Sequence, residues 1–316
     1  MAAEIKAKPI SAAIITRVNK LGEEGQVKKG KEIDFGIDIE KIINLIVQRL
    51  FPRWYARQAV KEMVLPNIGN INPKSYLCHR WLSLTSAHEA AADSLLNSNQ
   101  QWHSLADLLK KLVIENEYSR LLPISAINGV KVSQSDQDYP DLISYGQEQA
   151  NQIPQTTDNE YNRNISLAFP EKNQPFYVCY REWDGRYFFI NEDEPRHLAA
   201  LLMQGKKQQR DYNLTCNINV ESIQGKMLDR LSSGFWMLLM KREFAYQLYQ
   251  LLNQGKLECE IAEFEWRRSD LVFFIARKNE PSLNDIILNL LSNNTSKQIL
   301  DWSHVLNRSH FPFQYK

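Results

Sequence analysis

Tyr212-Asn213-Leu214-Thr215-Cys216-Asn217-Ile218-Asn219-Val220 alternates apolar and polar residues without a break. A period of two belongs to a strand, whose successive side chains point to opposite faces. Tyr212, Leu214, Cys216, Ile218 and Val220 are therefore expected to meet a core and covering helices, with the intervening residues turned away. Upstream, residues 176–182 and 186–190 are rich in aromatic and β-branched residues, and Trp183-Asp184-Gly185 separates them. An Asp-Gly pair tolerates the positive φ angles of a tight turn, so these runs predict a hairpin. Glu192, Asp193, Glu194 and Pro195 then suit a helix start, and Gly205 its end.

Downstream, Leu228, Leu231, Phe235, Leu238, Leu239, Tyr246 and Leu252 recur at helical spacing, predicting one long helix over 222–252 that covers a sheet. Residues 257–266 and 271–276 flank the polar turn Arg267-Arg268-Ser269-Asp270 and predict a second hairpin, with a bulge near Ala262 to reconcile two parities. A helix over 282–291 follows. The fold class is α+β: a mainly helical N-terminal part, then a mixed or antiparallel sheet with covering helices in the approximate order ββαβαββα.

In the first part, Ile39, Ile42, Ile43, Ile46, Val47 and Leu50 form one helical face after Asp38, and Phe51-Pro52 ends that helix or starts another. Ser86 and Glu89 have capping-box spacing before a helix to Leu96, and Ser104 precedes another. Residues 10–18 and 33–37 are expected to pair as an N-terminal hairpin. Residues 133–175 are polar and contain four prolines with no sustained apolar period, so they read as a linker or surface excursion. The organisation expected is 1–132 mainly α, 133–175 linker and 176–316 α+β, as two lobes or one large domain.

With 316 residues and 43% hydrophobic content the chain can bury a sizeable core. No apolar run reaches membrane-spanning length, and residues 1–20 lack a secretory-signal segment, so a soluble cytoplasmic protein without membrane partners is expected. The four cysteines form no CxxC motif. His88-Glu89 opens like a zinc-protease helix, but Ala92 stands where the second histidine ligand is needed. Phosphate-binding loops, dinucleotide turns and nucleophile elbows are also missing from the sequence.

Two function classes remain. The favoured one is a non-enzymatic binding or assembly protein that needs no cofactor and engages a protein or nucleic acid through local basic and aromatic surfaces. Arg53, Trp54, Tyr55, Arg57 and Lys61 interleave cations with rings that suit phosphate contact and stacking, although amphipathic packing with Trp54 or Tyr55 in the core explains the same pattern. Lys206, Lys207 and Arg210 form a second basic group, and Arg267 and Arg268 a third. Against a dominant nucleic-acid surface, 38 basic residues nearly balance 37 acidic ones. The alternative is a metal-dependent hydrolase or nuclease using Glu258, Glu260 and Asp270 with a divalent cation, for which a strand face carrying protective charges is the ordinary explanation.

The inward orientation of Leu214 can be checked directly. Leu214→Asp places an unpaired carboxylate in an apolar layer and should cost about 3 kcal/mol or more in urea unfolding. Near-wild-type stability would contradict the proposed strand register.

Overall fold

A computed structural model of the chain describes residues 39–63, 83–130, 139–170, 176–183, 185–190, 195–264, 270–293 and 298–309. Two compact units, 1–45 and 46–316, make up the chain, and both sheets belong to the second. The expected hairpin over 10–18 and 33–37 lies outside the described residues. The described helices are α1 (Ile39–Leu50), α2 (Pro52–Glu62), α3 (Leu84–Leu96), α4 (His103–Lys110), α5 (Leu142–Gln149), α6 (Asp158–Ala168), α7 (Pro195–Gln208), α8 (Gly225–Gly234), α9 (Arg242–Gln254), α10 (Pro281–Ser292) and α11 (Trp302–Ser309). The strands are β1 (Val113–Pro123), β2 (Ile127–Val130), β3 (Phe176–Arg181), β4 (Arg186–Phe189), β5 (Asn213–Ile223), β6 (Phe235–Lys241), β7 (Cys259–Glu263), β8 (Leu271–Arg277) and β9 (Leu300–Asp301). The fold is α+β, as the sequence led us to expect.

The first sheet is mixed, in the order β1-β5-β3-β4-β2, with β5 parallel to β3 and antiparallel to β1. Leu214, Cys216 and Ile218 of β5 are buried in one core with α5, α6 and α7, while Asn217 and Asn219 face away and bond Ser119 and Glu115 across the strand pair. The β3–β4 hairpin closes with Gly185 at φ 68°, a left-handed conformation that glycine adopts without a Cβ penalty. On the polar face, Arg181 and Glu221 are fully buried with Nε and Oε2 3.5 Å apart, and the Arg181 guanidinium lies 3.9 Å from the Phe188 ring centre. The first part of the chain contributes β1 and β2 to this sheet. Residues 139–170, inside the stretch expected as a linker or surface excursion, supply α5 and α6, which pack against α7.

The second sheet, β7-β8-β6-β9, is antiparallel and buried on both faces. Phe235, Met237 and Leu239 of β6 enter a core with α3, α4, α8 and α11, whereas Trp236, Leu238 and Met240 enter another with α2, α9 and α10. β8 divides in the same way: Leu271, Phe273 and Ile275 face the first core, and Val272, Phe274 and Ala276 face the second.

This arrangement corrects two expectations. Residues 222–252 are not one helix, since the run Phe235-Trp236-Met237-Leu238-Leu239-Met240 leaves α8 and forms a central strand before α9. A strand covered on both sides is apolar at every position, so helical spacing within it carries no information. Nor is there a bulge near Ala262: β7 pairs with β8 in unbroken register, and its two parities serve two cores, with Cys259 on one side and Ala262 on the other.

Helix ends also differ in detail. α7 runs past Gly205 to Gln208, with Gln209 in the left-handed region at φ 53°. α3 is capped by Ser83, whose side chain accepts from the Ser86 amide, rather than by Ser86.

His88 ties the chain's N-terminal part to its last helix. The Trp302 indole donates to His88 Nε2 at 3.0 Å, and Trp302 in turn packs edge-on against Phe264 and Phe273. Burial lowers the His88 pKa from 6.5 to about 4. Because the folded pKa lies below the unfolded one, this group's contribution to stability is full above pH 6.5 and declines as pH falls toward 4. Its loss amounts to about 3 kcal/mol. His88→Asn should remove this part of the acid destabilisation between pH 7 and 4, measured as the difference in urea unfolding free energy between the two proteins. An identical pH slope in both would contradict it.

Candidate interaction surface

Pro52 sets the start of α2, where its missing N–H is not needed by the helix. Ala56 and Val60 form the buried side of α2, on the core shared with α9 and α10. The helix comes unusually close to the end of α9. A Cβ on Gly255 would lie 2.7 Å from Ala56 Cβ and 3.2 Å from the Pro52 carbonyl oxygen, so only glycine fits beneath α2. The seat is flanked by polar contacts: Gln48 donates to Gln254 at 2.8 Å, Arg53 lies 3.5 Å from Glu280, and Arg57 bonds Asp285 at 3.0 Å. Such exposed pairs contribute little individually, so the close approach and the buried Ala56 and Val60 hold the helix.

The end of α1 and the first turn of α2 leave apolar side chains outside. Ile46, Leu50, Phe51 and Trp54 are 50%, 65%, 55% and 52% exposed, all within nine residues of chain. Ile46 and Leu50 belong to the apolar helical face of α1 read from the sequence, and both are turned toward solvent. Periodicity shows which residues share a face but not whether anything covers it. Phe51, Trp54, Arg53 and Lys256 line a shallow groove of about 410 Å³ above Gly255. A second cleft of about 170 Å³, on the α10 side, is lined in part by Arg57, Lys61, Met63 and Ile286.

The residues singled out from sequence distribute as follows. Arg53, Trp54, Tyr55, Arg57 and Lys61 all stand on α2, with Tyr55 half-buried. Lys206 and Lys207 are exposed in the last turn of α7, where cations complement the negative end of the helix. Arg210 hydrogen-bonds Asp158 and sits 4.8 Å from the Tyr161 ring centre. This second group belongs to the helical layer of the mixed sheet, whereas α2 belongs to the antiparallel one. Arg267 and Arg268 lie outside the described residues.

The carboxylates of the alternative do not converge along the strands. Glu258 is exposed just before β7, and Glu260 accepts a bond from the Ile261 amide. Asp270 precedes β8, five residues before Ile275, the cross-strand partner of Glu260. Five residues of extended chain separate it from Glu260, roughly 17 Å at 3.4 Å per residue. Glu263 is held by Arg242 in a two-pronged pair, at 2.9 and 2.6 Å. Among the described residues no three His, Cys, Asp or Glu side chains gather as a metal-ligand group.

The packing at Gly255 yields a test of how α2 is held. Gly255→Ala should lower stability by about 1–3 kcal/mol and raise hydrogen exchange selectively over residues 52–62, because α2 must lift to admit the methyl group. Unchanged stability and exchange would contradict the close approach.

No curated protein and no solved structure matches the chain. A family match covers residues 117–315, which run from within β1 through α11, while α1, α2 and the Gly255 seat's partner surface on them precede it. With more than half of its length matched, the chain belongs to a family of unknown function (DUF6685).

Proposed function

We propose that this is a non-enzymatic binding or assembly protein that docks a protein partner on the outer side of α2 and of residues 46–50 before it. The observation that carries the reading is the contiguous exposure of Ile46, Leu50, Phe51 and Trp54 beside a groove. Large apolar side chains clustered at a surface and rimmed by polar residues mark interaction sites. Trp and Arg also dominate the energetics of protein interfaces.

Burying the exposed half of four such side chains contributes about 4 kcal/mol in gross terms. That is less than the cost of association in many estimates. The apolar face therefore needs polar partners around it, and the cations of α2 and Lys256 supply them. A nucleic-acid partner would use the same cations but would leave the apolar surface without a role.

A random-peptide display library, selected on the wild-type chain and counter-screened on Leu50→Ser/Phe51→Ser/Trp54→Ser, tests the reading. These exposed positions should tolerate serine without unfolding, which circular dichroism checks. Enrichment of apolar-anchored peptides that bind the variant at least about tenfold more weakly, a difference of about 1.4 kcal/mol, is expected. Enrichment indifferent to the triple substitution, or none at all, would overturn the reading.

A further inference from the structure

Resting on that reading, we propose that the docked segment is an acidic amphipathic peptide. It would lie along α2 with apolar side chains in the two clefts and carboxylates against the cations that line them.

Three observations point to this chemistry. Arg53, Arg57 and Lys61 are spaced four residues apart on α2, which aligns them along one face over about 12 Å. Each cleft is lined by two cations and by no carboxylate: Arg53 with Lys256 in the groove at Phe51 and Trp54, and Arg57 with Lys61 in the cleft beside α10. Two partly apolar clefts edged by positive charge therefore flank α2, which is the complement of a segment that carries both apolar and acidic residues.

The third observation shows what the stripe accepts. Two carboxylates of this chain are already seated on it, Glu280 at 3.5 Å from Arg53 and Asp285 at 3.0 Å from Arg57. The Arg53 and Arg57 side chains nonetheless remain 58% and 44% exposed. A guanidinium has five N–H donors in a planar fork, so one carboxylate leaves donors for a second. Lys61 and Lys256 have no ion-pair partner among the described residues. The apolar anchors enter recesses rather than crowning a ridge, which fits side chains of a peptide better than the flat interface of a lipid bilayer.

Two labelled synthetic peptides of about twelve residues, three helical turns, test the proposal by fluorescence anisotropy on the full chain. Both carry the same Leu and Phe anchors at helical spacing, one with Glu and the other with Gln between them. The Glu peptide should bind at least about tenfold more tightly at low salt, and the advantage should shrink as salt screens it. Lys61→Glu/Lys256→Glu should abolish that advantage. Glu280→Gln/Asp285→Asn should raise affinity for the Glu peptide severalfold by freeing the arginines.

Equal affinities for the two peptides, or an advantage that survives Lys61→Glu/Lys256→Glu, would overturn the acidic-segment proposal. If both peptides still depended on Leu50, Phe51 and Trp54, the docking reading itself would stand. Binding of neither peptide would overturn the proposal, and failure of the display selection would separately overturn the reading beneath it. Tighter binding to phosphatidylglycerol vesicles or to a DNA duplex than to the Glu peptide, lost in the triple serine variant, would also overturn it in favour of those surfaces.

Discussion

From α8 onward the chain depends on burying one antiparallel sheet on both of its faces. β6 and β8 place alternate side chains into two separate cores, so neither strand has a solvent side, and each face needs its own helices. The chain meets that demand with segments distant in sequence. α3, α4, α8 and α11 cover one face, and α2, α9 and α10 cover the other. Side chains at the centre of such a layer are lost from water on every side, and truncating one leaves a cavity rather than a relaxed surface. The His88–Trp302 bond belongs to the same requirement, since it fixes the last helix to a helix more than two hundred residues earlier.

Covering the second face has a consequence at the surface. α2 contributes only Ala56 and Val60 as fully buried side chains, two small or medium residues, and it can lie close to α9 because Gly255 has no side chain. A helix seated by so narrow a strip turns most of its circumference outward. Its first turn, with the end of α1, then presents Leu50, Phe51 and Trp54 to solvent, while its cations reach Glu280, just before α10, and Asp285 on it. The apolar surface and the cation stripe are thus products of one packing arrangement. The proposed docking role uses what that arrangement leaves exposed.

Much of this was legible in sequence where one side of an element is wet. β5 alternated cleanly because its asparagines face away from the core, and the β3–β4 hairpin announced itself through Asp184 and Gly185. Reading failed in two opposite situations. β6 is buried on both faces and lost its alternation to a continuous apolar run, whereas β1, Val113-Ile114-Glu115-Asn116-Glu117-Tyr118-Ser119-Arg120, is exposed along most of its length and lost alternation to polarity. At the candidate surface, the mixture of Arg and Trp on α2 was visible from residue types. The ion pairs to Glu280 and Asp285, the seat on Gly255 and the outward turn of Leu50 depend, for all but the last, on contacts about two hundred residues or more apart in the chain, and no local pattern encodes them.

The account stands or falls on the claim that the α1–α2 corner is apolar and uncovered in the isolated protein. Hydroxyl-radical footprinting of the dilute full-length chain measures this residue by residue, with the buried Trp102 and Trp302 as internal references. The account predicts that Phe51 and Trp54 oxidise far faster than those two tryptophans. Protection of Phe51 and Trp54 to the level of Trp102 in the dilute chain would contradict it, because the surface would then already be covered.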